Sequence, residues 1–166
     1  MAKKVNDPKL DLLLVFFDQA FDKKAWHGPT LRGSIRGVTH EEALWRPTPK
    51  HHNIWELVLH TAYWKYAVKR RITHGKKGMF AMEGSNWFKL PSKPDAAAWK
   101  KDVAMLDQYH RELRREIAHL DLTKFKRHDL IYGMASHDLY HAGQIQLLKR
   151  LVRGGVAGSE LMQASI

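Results

Sequence analysis

DLIYGMASHDLYHAGQIQLLKRLVR, residues 129–153, repeats apolar side chains at helical spacing, with Leu130, Met134, Ile145, Leu148 and Leu151 on one stripe. Two histidines fall on that same stripe. His137 and His141 stand four residues apart, about one helical turn, so their imidazoles share a face and can reach a single ion. A helix that turns two imidazoles in among its own apolar residues is a helix packed into a bundle. Gly154-Gly155 is expected to stop it, with a mobile tail over 154–166.

Three further segments carry the same periodicity. One runs from about Asp95 to Ala118 and sets Trp99, Val103, Leu106, His110, Leu113 and Ile117 at alternating steps of four and three, a bundle seam. Another runs from about Ile54 to Thr73. Asn53 is its N-cap, and Glu56, three residues on, completes a variant of the capping box. Leu57, His60, Trp64, Ala67 and Arg71 share one of its faces, so His60 sits in a mostly apolar stripe. The first segment starts at Pro8, places Leu10, Leu14, Phe17 and Phe21 together, and is expected to continue, kinked at Gly28-Pro29, to about Arg36. No stretch alternates with period two. The chain reads as all-α, one four-helix bundle domain over 1–166. The connection of about twenty residues from Gly75 to Pro94 carries Phe80, Trp87 and Phe88, and reads equally as a lid or a packed surface loop.

Composition narrows the chemistry. The chain of 166 residues has no cysteine, so a metal must be held by nitrogen or oxygen. The apolar run from Leu10 to Phe21 is broken by Asp11, Asp18 and Gln19 and is too short for a membrane span, which gives a cytoplasmic reading with no membrane partner. A net charge of +11 favours polyanions in general. Lys and Arg are nevertheless dispersed among acids and no base-reading module is present, so sequence-specific nucleic-acid binding is not expected.

Among 11 histidines an HxxxH pair arises readily by chance, so position counts for more than spacing. His60, His137 and His141 all fall on inner stripes. Two readings follow: each is a core histidine bonded to a neighbour, or the three share one metal, with their remaining ring nitrogens bonded to carbonyls, waters or carboxylates. Three protein ligands would leave a coordination position open for a water, thiol or substrate. Imidazole ligation suits Zn, Ni, Cu or Fe and argues against Mg or Ca. His110 competes as a site histidine from the seam of the third segment. Glu56 and Gln144 lie one turn from His60 and His141 as possible supports, although Glu56 already serves as a cap.

The stretches AWHGPTL (25–31), HNIWELVLH (52–60) and SHDLYHAGQI (136–145) resemble the DinB-like (DinB/YfiT) superfamily, in order along nearly the whole chain. The resemblance implies an up-down-down-up four-helix bundle. It also implies one divalent metal on a histidine of the second helix and an HxxxH pair of the fourth, here His60, His137 and His141, with zinc or nickel as leading candidates. Characterised members include metal-dependent transferases for low-molecular-weight thiols and a thiol-dependent isomerase, and homodimers are common. The implied function is a metal-dependent transferase or hydrolase acting on a small electrophile. The competing readings are a basic, stress-related protein with a structural metal that binds nucleic acid or a protein, and a metal-free partner-binding bundle. Trp26-His27-Gly28-Pro29 marks a subset of the family; it either lines the pocket mouth or bends the chain.

Overall fold

The computed structural model describes residues 7–163, with side chains through 154. Helix α1 (Pro8–Phe21) opens where the Asp7 carboxylate accepts the Lys9 amide at 2.9 Å and Pro8 needs no donor. It does not continue to Arg36 as the sequence suggested. The chain leaves the helix after Phe21, Gly28 takes a left-handed φ of 104°, and a new short helix α2 (Leu31–Ile35) starts where the Thr30 hydroxyl accepts the Gly33 amide. Gly-Pro here separates two helices instead of kinking one.

A further short helix, α3 (His40–Leu44), was not anticipated, although Thr39 and Glu42 form the reciprocal capping box that announces it. Helix α4 (Ile54–Ile72) begins at the Asn53/Glu56 capping box as expected, and α5 (Ala96–Ile117) begins at Asp95. Helix α6 (Asp129–Gln163) passes through Gly154-Gly155 without stopping. A glycine inside a helix costs about 1 kcal/mol relative to alanine but does not forbid it, and Arg153 beside the pair is clamped to Glu42 of α3 at 2.7 Å. Residues 164–166 of the expected tail lie outside the described residues. Among the described residues there is no strand, and no helix is long and apolar enough to cross a membrane.

Helix α4 packs on α5 and α6, and α1 and α2 pack on α6. Pairs at both ends align α4 with α5: the Trp55 indole donates to Asp102 at 2.7 Å, and Lys69 reaches Glu112 at 2.6 Å. Asp18 of α1 receives both Nε and a terminal nitrogen of Arg114 on α5. Apolar packing forms two clusters along the bundle, one around Trp55, Leu59, Leu106 and Ile145, the other around Phe17, Leu113, Ile117 and Ile131. Leu151, expected on the inner stripe, is instead 45% exposed.

The residues between the two clusters are polar. Lys65 and Asp138 are wholly buried and bonded to each other across α4 and α6, and the ammonium also lies over the rings of Phe17 and Phe21, 5.3 and 4.8 Å from their centroids. Burial raises the Asp138 carboxyl to about 6 against the pull of Lys65. Breaking such a pair leaves one uncompensated charge in the core, so Lys65→Ala should cost about 3–5 kcal/mol in urea unfolding, whereas Lys65→Met with Asp138→Leu should recover most of that. A Lys65→Ala loss below about 1 kcal/mol would mean the pair is not desolvated as described.

Candidate metal centre

Two helices deliver the imidazoles. His60 comes from the middle of α4, whose start is fixed by the Asn53 cap, and His137 and His141 come from successive turns of α6. One ring nitrogen of each lies within 4.8 Å of the others, a group able to hold a metal ion. The Nε2 of His137 is 3.1 Å from both His60 Nε2 and His141 Nε2. His60 and His141 are buried and His137 half-buried.

The outer nitrogens fix the tautomers. His60 Nδ1 donates to the main-chain carbonyl of Asn86 at 3.0 Å, and His141 Nδ1 donates to the Gln144 Oε1 at 2.6 Å. Oxygens of these kinds only accept, so both Nδ1 atoms carry the proton and both Nε2 atoms present lone pairs toward His137. His137 Nε2 has at most one proton to offer the two of them, and its buried Nδ1 has no hydrogen-bond partner. The cluster is therefore one donor short, and a cation at its centre would satisfy all three nitrogens. The donor set fits a divalent transition metal.

Burial lowers all three imidazole pKa values, that of His137 to about 3 and that of His141 to about 4, with the neighbouring imidazoles adding to the shift at both. Neutral imidazole is the ligating form, so the ligands are available well below neutrality.

The connection between α4 and α5 supplies what the sequence reading missed. Asn86 sits at a left-handed φ of 65°, which asparagine tolerates, and this turn aims its carbonyl at His60 while its side-chain oxygen accepts from the Trp64 indole at 3.0 Å. Trp87 then lies flat between His60 and His52, 4.0 and 3.6 Å from their centroids. The same connection is anchored by buried Phe88 and by the Met79 and Ala81 amides, which donate to Tyr66 and Tyr109 hydroxyls. It is a packed loop and also an outer wall of the cluster.

Gln144 supports His141 as anticipated. Glu56 does not touch His60: it caps α4, takes both terminal nitrogens of Arg46 at 2.8 and 2.7 Å, and accepts from His52. His110 is not part of the cluster; it stacks on Phe17 and Phe21, and burial lowers its pKa to about 2. Trp26 projects wholly into solvent.

A model of the DinB superfamily matches residues 25–145, and the chain belongs to that superfamily. No curated protein and no solved structure matched the chain.

The lowered histidine values make a stability prediction for protein kept in chelator. Each imidazole protonates near 6.5 when unfolded but only at lower pH when folded, so its contribution is complete above about 6.5 and is lost as pH falls toward 4 and then 3. Urea midpoints at pH 7.5, 5.5 and 4.5 should fall progressively, and less steeply in His137→Gln. Equal slopes in the two proteins would show that His137 is not desolvated.

Proposed function

We propose that this protein is a metal-dependent enzyme acting on a small electrophilic molecule, with one zinc or nickel ion held by His60, His137 and His141. The observation that carries the reading is the convergence of three Nε2 atoms, two of them locked as lone-pair donors by Asn86 and Gln144. Such an ion supplies Lewis acidity and activates a bound water or low-molecular-weight thiol. The residues of the chain do the rest. Asn86 and Gln144 hold the ligand rings in register, and Trp87 covers one face of His60 against water.

An up-down-down-up bundle belongs to the same reading. It is supported by the pairing of Trp55 with Asp102 and of Lys69 with Glu112, in which residue numbers rise together along α4 and α5. The connection over residues 73–95 is long enough to return the chain to the starting end.

Elemental analysis of protein purified without a polyhistidine tag should find about one transition-metal equivalent per chain, with each of His60→Ala, His137→Ala and His141→Ala sharply reducing it. Full occupancy in all three variants would overturn the assignment. Orientation of His60 by Asn86 makes a separate demand. Asn86→Val strains the left-handed turn and should weaken zinc binding by about 10–100-fold, while Asn86→Gly keeps the turn and carbonyl and should stay near the wild type. Competition titration against a chromogenic chelator reads both, and equal affinities would remove the carbonyl from the site.

A further inference from the structure

A cavity of ≈ 530 Å³ opens beside the cluster, with His141 and Gln144 in its lining. Its volume is in the range that encloses a small organic ligand. The walls are apolar: Leu57 and Leu148 from the core, the Trp87 ring, and Leu147 and Leu151 along the outer edge of α6. Those last two are 59% and 45% exposed, and Tyr140 beside them is 64% exposed. A leucine left in water forgoes most of the roughly 1.5–3 kcal/mol that its burial supplies, so an edge of this kind gains from a ligand that covers it.

Lys50 adds one ammonium to this lining. Lys50 comes with His51 and His52 from the segment between α3 and α4, and among the described residues no carboxylate lines the cavity. Glu56 lines the adjoining opening and is already held by Arg46 and His52. Lys50 is exposed and forms no ion pair among the described residues. An apolar cavity that carries the Lys50 ammonium in its lining and reaches His141 is complementary to one kind of molecule.

We propose that this cavity selects small anions with an apolar body, such as medium-chain or arylalkyl carboxylates, the charge held by Lys50 and the body against Leu147 and Leu151. The proposal rests on the reading of this site as an active site, and names its substrate class. The Lys50 ammonium also steers an anion inward before contact.

The test uses the full chain in chelator, so that a carboxylate has no metal to bind and Lys50 and the apolar walls act alone. Isothermal titration with octanoate, 1-octanol and octylammonium at low salt should rank them in that order, with octanoate about fivefold tighter than the alcohol, the scale of one exposed charge pair. Lys50→Glu should erase the preference and leave 1-octanol unchanged. Leu147→Ser with Leu151→Ser should weaken both; these positions are exposed, and an unchanged melting temperature checks the fold. Equal binding of octanoate and 1-octanol, a preference for octylammonium, or no binding at millimolar ligand would each overturn the proposal. So would a dimer in sedimentation that the double serine change dissociates while ligand binding persists unchanged, because the leucines would then serve a second copy of the chain. Failure of the metal assignment is separate: protein that binds no zinc yet keeps the Lys50-dependent preference retains this ligand class and loses the metal.

Discussion

Polar side chains gathered between the two apolar clusters of the bundle are the constraint on which the molecule depends. There α4 contributes Lys65 and, one turn earlier, His60; α5 contributes His110; α6 contributes His137, Asp138 and His141. Each must recover on folding what it loses in water, since an unsatisfied buried polar group costs about 1–3 kcal/mol. Lys65 and Asp138 do so in part, by pairing through Oδ2, while Asp138 Oδ1 has no partner. His110 does so incompletely: its flat ring is stacked on Phe17 and Phe21, burial keeps it neutral, and its Nδ1 has no partner. The three remaining imidazoles meet one another, and their Nε2 atoms share at most one proton, which leaves at least one lone pair without a donor.

Satisfying the outer nitrogens ties distant chain segments together. His60 is oriented by a main-chain carbonyl 26 residues away, on a loop whose own position depends on Phe80 and Phe88 packing against Tyr63, Tyr66 and Tyr109. That loop in turn brings Trp87 over His60 and against His52, and so forms one wall of the adjoining cavity. Geometry at the ligands and the shape of the space beside them are therefore set by the same few residues. A long connection is kept ordered here because its aromatic side chains complete the core.

Three of the four long helices were legible twice over, by an apolar stripe and by a cap, with Asp7-Pro8, Asn53 with Glu56, and Asp95 all in place, and α6 was legible from its stripe. The three clustered histidines were legible for a related reason, since polar residues on an inner stripe are conspicuous. Where reading failed, a local signal met a tertiary or conformational term it does not encode. Gly28-Pro29 was read as a kink because proline bends helices, yet the left-handed φ of Gly28 ends the path and the Thr30 hydroxyl starts another. The Thr39/Glu42 box was visible and passed over, being followed by only five helical residues. Gly154-Gly155 resembled a stop, and the helix runs on beyond a residue clamped to Glu42. Asn86 had no signal at all: its role is played by a carbonyl, which every residue possesses.

Lys65 was equally invisible in sequence, appearing as one of the basic residues of α4 with Lys69, Arg70 and Arg71, and its burial raises an electrostatic question for the site. A lone ammonium in the core beside three imidazoles would oppose any cation entering the cluster, and its field contributes to lowering the pKa of His137. Asp138 answers this from the residue next to His137, so that the pair as a unit is neutral and its field falls off quickly toward the ligands. The arrangement also explains why α4 and α6, which carry all three ligands, are joined here by a charged bond instead of by leucines. Apolar residues would pack as well and could slide, whereas a directional bond between two buried groups fixes the relative height of the helices, and with it the distance from His60 to His137.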